Sequence, residues 1–236
     1  MKNWTYSNEG GTRFDVQPGD VWLAGPHVLV CGDLERGDHM KLLHVVDQPA
    51  MAYIDPPWGS ALARGFRTKA GVDGGPGHRV DFGVLLSLII QAVKHCSGHA
   101  FLEIGRLQEK VLRDAISAGG GRVLDRWDTT YYKRYPCVLI HAGWAPGLRP
   151  ATTSADGMDD AHTPLWAIEQ FSNTGDTVLD VCAGRGLTAI SCEAAGRRFV
   201  GLELSSYRAS VTLTKLEALG HAPNRAGRLD TYKGVQ

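Results

Sequence analysis

The sequence predicts an α/β fold with a mostly parallel sheet and helices on both of its faces. Three observations carry that expectation. Short apolar runs of strand length alternate with segments of helical period, and the runs end in Gly, Pro or Asp turns. A hydrophobic content of 43% against 21% charged residues is enough for a substantial core. At 236 residues the chain fits one large domain, with a core over about 19–219.

Residues 21–33 read as a strand, a Gly25-Pro26 turn and a second strand ending at Gly32-Asp33, with a helix near 40–46. A strand at 51–55 delivers Asp55-Pro56-Pro57-Trp58. Residues 59–79 are Gly-rich with little periodicity and are expected to form a flexible loop. A helix (81–95), a strand (99–104), a helix (106–118) and a strand (122–128) follow, then a hairpin pairing 129–132 with 137–141. Residues 145–161 read as a second flexible loop, rich in Pro, Thr, Ser, Asp and Gly. The last third alternates regularly: helix 163–172, strand 177–182, helix 186–195, strand 198–203, helix 206–219, then a polar tail.

Bulk properties exclude several classes. No apolar stretch has membrane-spanning length, and the N-terminus lacks a basic-then-apolar export pattern, so a cytoplasmic protein with no membrane partner is expected. Five cysteines, never spaced as CxxC, read as reduced thiols, and no metal site is expected from histidines that form no HExxH pattern. Net charge is zero, so a nucleic-acid partner requires local basic patches.

Asp55-Pro56-Pro57-Trp58 is the most informative segment. Two consecutive prolines fix two φ angles and remove two backbone donors, leaving carbonyls as acceptors. With a carboxylate before them and a flat aromatic after them, they form a receptor for an amino group on a planar ring. The exocyclic amine of adenine or cytosine is a poor nucleophile because its lone pair is delocalised. If Asp55 and a prolyl carbonyl each accept one N–H bond, the nitrogen can pyramidalise and attack a methyl donor, with the acceptors gaining strength as positive charge develops. The competing reading is a strand-ending turn with an exposed tryptophan.

A second constellation lies late in the chain. Asp180-Val181-Cys182-Ala183-Gly184-Arg185-Gly186 joins a strand to a helix. Gly184 and Gly186 allow close backbone approach, and the helix start offers N–H donors. The third glycine of GxGxxG is replaced by Ala189. Glu203 ends the next strand, where an acid can hold ribose hydroxyls, and Leu204 follows it. Asp33 ends an earlier strand and reads equally as a cap.

DPPW, the DxxAGxG turn and Glu203 together resemble the S-adenosylmethionine-dependent amino-methyltransferases of nucleic-acid bases, which have a Rossmann-like class I fold. The catalytic motif precedes the glycine turn, and His162-Thr163-Pro164 opens the intervening helix. That order is similar to the circularly permuted β group of DNA adenine-N6 and cytosine-N4 enzymes, and the opening residues resemble its phage and mobile-element members. The resemblance covers about 19–219. It implies S-adenosylmethionine as cofactor, with Asp33 accepting from its adenine amine and Glu203 holding its ribose. Asp55, Asp180, Cys182, Ala183, Gly184, Gly186 and Leu204 would line the rest of the cofactor site. His162 and Thr163 would close over the methionine end, while Asp55, Pro56, Pro57 and Trp58 take the base. Cys182 stands where the family usually has phenylalanine, and Arg185 where it has a small residue.

In the family that the chain resembles, Asp at the first motif position favours adenine N6. Cytosine N4, RNA adenosine and an inactive cofactor- or nucleic-acid-binding subunit remain as alternatives. An amine inside a duplex requires base flipping. Arg64, Phe66, Arg67, Lys69 and Arg79, and Tyr132, Lys133 and Arg134 beside Tyr131 and Tyr135, interleave basic and aromatic residues as phosphate contacts and base stacking require. Solvated loop charge with buried tyrosines is the other reading. Between Trp144 and His162 there is little room for a separate target-recognition domain, so recognition is short or comes from a homodimer mate or another subunit. Trp4, Trp22, Trp127, Trp144 and Trp166 read as packing residues.

Overall fold

The structure, a computed structural model, describes residues 13–72 and 80–234; Trp4 and Arg79 lie outside the described residues. In chain order the strands are β1 (Asp20–Ala24), β2 (His27–Cys31), β3 (Met51–Ile54), β4 (His99–Gly105), β5 (Arg122–Tyr131), β6 (Tyr135–Gly143), β7 (Thr177–Asp180), β8 (Arg198–Glu203) and β9 (Asn224–Arg228). The helices are α1 (Asp38–Leu43), α2 (Ser60–Lys69), α3 (Phe82–Val93), α4 (Glu109–Ala118), α5 (Thr163–Phe171), α6 (Leu187–Ala194) and α7 (Ser206–Ala218).

Among the described residues, all nine strands join one sheet, ordered β5-β6-β4-β3-β7-β8-β2-β1-β9. Its centre, from β4 through β3, β7 and β8 to β2, is parallel. Antiparallel pairs close both edges: β4–β6–β5 on one side, β2–β1–β9 on the other. Strand alternation decides the two layers. Ala52 and Ile54 of β3 share a core with Leu86 and Ile89 of α3 and Leu112 of α4. Met51 and Tyr53 face the other way, into a core with Ile168 of α5, Ala189 of α6 and Leu213 of α7. Both faces are therefore covered, as parallel sheets require. Helix starts are set locally: Asp81 accepts from the N–H groups of Gly83 and Val84, Ser205 from that of Arg208, and Pro164 lies in the first turn of α5.

Four expectations change. Residues 60–69 form α2 and not a loop, because the glycines of 59–79 fall mostly after residue 70, leaving Ser60–Lys69 rich in helix-forming Ala, Leu, Arg and Lys. Strand 122–128 and the first hairpin arm are one continuous strand, β5. Segment 145–161 is fastened at its end: Gly157 and Asp160 donate backbone bonds to Asp128 and Thr130, and Asp159 bridges to Thr130. The polar tail contributes β9. It carries little apolar signal and is held by pairing with β1 and by Arg225 and Arg228 on buried Asp20, at 3.3 and 3.1 Å. Among the described residues, no helix is long and apolar enough to cross a membrane.

Candidate active site

Strand order reverses between β3 and β7: β3 leads outward to β4, β7 leads the other way to β8. Open α/β sheets bind ligands in the crevice beyond the carboxyl ends of such strands. Asp55 follows β3, while Asp180 and Glu203 end β7 and β8. Two cavities open there. The smaller, about 90 Å3, is bordered by Asp33, Arg67, Glu203 and Leu204. The larger, about 600 Å3, is bordered by Pro56, Trp58, Glu103, Asp160, Asp180, Ala183 and Gly184. Asp55, Pro57, Phe66, Cys182 and Arg208 border both.

Each acid is held differently. Trp58 Nε1–H donates to Asp55 Oδ1 at 3.2 Å. Asp180 accepts from the Cys182 N–H at 2.9 Å and the Thr188 hydroxyl at 2.6 Å, fixing the start of the glycine turn. Glu203 accepts from the N–H groups of Gly184 and Ser205 at 2.7 and 2.8 Å. Thus Glu203 ties the turn to β8 while bordering the smaller cavity. Asp33 Oδ1 accepts from Arg67 Nη1 and the Glu35 N–H, both at 2.9 Å, whereas the buried Oδ2 has no hydrogen-bond partner among the described residues.

Crowding of carboxylates sets the electrostatics. Burial raises Asp55 well above the usual carboxylate range, and the charges of Glu103, Asp180 and Asp160 add to the effect. Burial pushes Glu103 up to about 7 against the opposing hydroxyls of Tyr53 and Thr129, and Asp180 likewise to about 7. Glu203 and Asp160 are also raised, chiefly by burial. Lys215, at the rim of the larger cavity, is lowered to about 8 by burial and by Arg185.

Glu103 is a residue that the sequence pattern did not single out. It is 1% exposed and accepts from the hydroxyls of Tyr53 and Thr129, both at 3.0 Å. Its signal was available: a charge inside the apolar run of β4. Asp160, whose Oδ1 accepts the Tyr132 N–H at 2.8 Å, gave no such signal. Arg208 was also missed; its guanidinium lies over the Phe66 ring at 4.1 Å.

Other expected residues separate. Arg67 turns inward to Asp33 and Glu35 instead of offering its charge to a phosphate. Arg64 and Lys69 are exposed on the outer side of α2. His162 points outward, paired with Asp159, and borders neither cavity; Thr163 is buried, its hydroxyl 2.8 Å from that of Tyr53. Pro164 does border the larger cavity. Tyr132 borders it too, at a hairpin tip where Tyr132 and Lys133 have φ of 51° and 55°. Trp58 meets Tyr131 edge-on at 5.1 Å, and Tyr131 meets Tyr132 at 4.4 Å. Lys133 and Arg134 are exposed. Trp22 and Trp127 are buried, and the indoles of Trp144 and Trp166 donate to Gly119 and Thr153.

His27, Glu193 and His221 group at the opposite end of the sheet. His27 Nδ1 accepts the Phe199 N–H at 3.1 Å, which leaves the proton on Nε2 to donate to Glu193 at 3.0 Å. Nε2 is thus a donor and not a free ligand lone pair, and the cluster reads as a hydrogen-bonded staple.

Comparisons with known structures define the architecture. TTHA0409 from Thermus thermophilus, in complex with S-adenosyl-L-methionine, matches with a TM-score of 0.58 and 15% identity, covering 81% of this chain and 93% of that one. M1.HpyAVI gives 0.55 and 14% over 80% and 98%. PvuII DNA methyltransferase (cytosine-N4-specific) gives 0.52 and 12% over 81% and 90%. The chain has the class I methyltransferase fold. Within it, residues 163–214 match the model of the N6_N4_Mtase family, DNA methylase. No curated protein sequence matches the chain.

Proposed function

We propose that this protein is a DNA amino-methyltransferase that uses S-adenosylmethionine to methylate N6 of adenine, within the permuted β group. The observation that supports the reading is that Asp55 borders both cavities at once, as a carboxylate shared by a donor site and an acceptor site would. The residues present fit the cofactor: buried Asp33 Oδ2 lacks a donor among the described residues, Glu203 ends a strand beside the same cavity, and Gly184 leaves the turn open. When bound, S-adenosylmethionine supplies an electrophilic methyl group.

The chain's own residues account for the rest. Asp55 and a prolyl carbonyl accept the two N–H bonds of the target amine, holding its nitrogen for attack. Trp58 orients the Asp55 carboxylate and walls the larger cavity together with Tyr131. The raised proton affinity of Asp55 makes it a better acceptor for the proton that the methylated amine releases. No covalent enzyme intermediate is needed; binding both reactants side by side supplies much of the rate. Lys133 and Arg134, exposed beside Tyr132 at the border of the larger cavity, offer charge to phosphates.

Support for DNA as the polymer comes from the family match over α5 to α7 and from the likeness to PvuII DNA methyltransferase. Asp at the first motif position favours adenine, and the cytosine-N4 specificity in that relative's name keeps cytosine as the second reading. Labelled cofactor is incubated with duplex DNA, single-stranded DNA and RNA, followed by nucleoside mass analysis. Label in N6-methyldeoxyadenosine is the expected result. Label in N4-methyldeoxycytidine establishes the second reading, and cofactor binding without transfer to any polymer overturns both.

A further inference from the structure

We propose that Arg67 is a positioning residue for the cofactor: by gripping one oxygen of Asp33 it presents the other to the adenine amino group, and so makes the smaller cavity select an amine over a carbonyl at that ring position. This rests on the reading of the cofactor as S-adenosylmethionine.

Three basic residues lie along α2, and their fates differ. Arg64 and Lys69 are exposed, whereas Arg67 is 9% exposed. Helical spacing accounts for this: Ala63, Phe66 and Arg67 share the side of α2 that borders the smaller cavity. There Arg67 Nη1 donates to Asp33 Oδ1 at 2.9 Å and lies 3.4 Å from Glu35 Oε2. The Glu35 N–H takes the same Asp33 oxygen at 2.9 Å. Two donors therefore engage Oδ1, and both come from the protein. Asp33 is 5% exposed, and its Oδ2 is left buried with no partner among the described residues.

A buried carboxylate oxygen without a donor is costly, so a ligand is expected to supply one. A carboxylate paired with a guanidinium accepts only. The 6-amino group of adenine satisfies it, and the 6-oxo group of hypoxanthine repels it. Without the guanidinium, Oδ1 loses one of its two donors and the carboxylate is free to turn, so Oδ2 is no longer held toward the amino group. Arg67, fixed between two acids, is poorly placed to contact a polymer phosphate.

The test compares calorimetric binding of S-adenosylhomocysteine and S-inosylhomocysteine to the full chain and to Arg67→Met and Arg67→Lys. The wild type is expected to prefer the adenosyl ligand by at least about tenfold. Arg67→Met loses that preference, mainly through weaker adenosyl binding, and Arg67→Lys falls between the two. The KM for cofactor rises while kcat at saturation and the KM for DNA stay within about twofold of wild type. A wild-type binding ratio in either variant overturns the proposal, and it remains readable in Arg67→Lys if Arg67→Met does not fold. Unchanged cofactor binding with a raised KM for DNA and an altered salt dependence assigns Arg67 to phosphate and also overturns it. Failure of the wild type to bind either ligand sinks the cofactor reading itself, and is distinct from an unchanged ratio in the variants.

Discussion

The indole N–H of Trp58 donates to the carboxylate of Asp55 at 3.2 Å, three residues away across two prolines. Because the prolines hold the backbone stiff, this bond fixes the carboxylate and leaves Oδ2 free to turn to a ligand. Trp58 therefore orients the acid as well as walling the cavity. Trp58→Phe keeps the wall and removes the donor. Its kcat is expected to fall about tenfold, as loss of a hydrogen bond to a charged group implies. A variant with unchanged kcat and only a raised KM for the polymer shows that Trp58 acts through stacking alone.

The acid cluster makes stability depend on pH. An acid whose folded value lies above its unfolded value stabilises the fold below the unfolded value, and loses that contribution as pH rises through the folded one. Glu103 moves from 4.5 to about 7 and Asp180 from 3.8 to about 7, so the loss spans roughly pH 4 to 7. The melting temperature of the ligand-free protein is expected to carry this falling component, with a shallower fall in Glu103→Gln. A cationic sulfonium ligand favours the ionised acids, so its affinity is expected to rise over the same range more than that of neutral S-adenosylhomocysteine. Identical pH slopes in the variant and the wild type remove Glu103 from the cluster.

Two glycines of the cofactor turn are separable by stability. Gly186 has φ of 79°, and a Cβ there would lie 2.6 Å from Thr212 Cγ2, itself fully buried. Gly184 has φ of 56°, but its nearest neighbour would be 3.7 Å away. Gly186→Ala is therefore expected to cost about 2 kcal/mol and Gly184→Ala about 1 kcal/mol, read from denaturant midpoints. Equal losses at both positions contradict the steric part of the argument.

The parts of the site that were legible in the sequence share one property: each ends a strand run. Asp55, Asp180, Glu203 and Asp33 interrupt apolar residues at the point where a parallel strand must leave the sheet, so their side of the sheet follows from topology alone. Glu103 was readable in the same way but lies one residue inside its run, where a charge looks like a pattern error. Arg67 was misassigned because its direction depends on α2, and the glycines beyond residue 70 masked that helix. The position of Asp160 depends on a backbone register between segment 156–160 and β5, which no local pattern encodes.

The measurement that bears most directly on the shared acid is single-turnover methyl transfer to duplex DNA at saturating cofactor, wild type against Asp55→Ala. The expected result is a loss of about a hundredfold or more in rate, the scale for removing a preorganised group at the reacting atom, with the melting temperature of the variant no lower than that of the wild type at pH 7. Transfer by Asp55→Ala within a few-fold of the wild-type rate would contradict it.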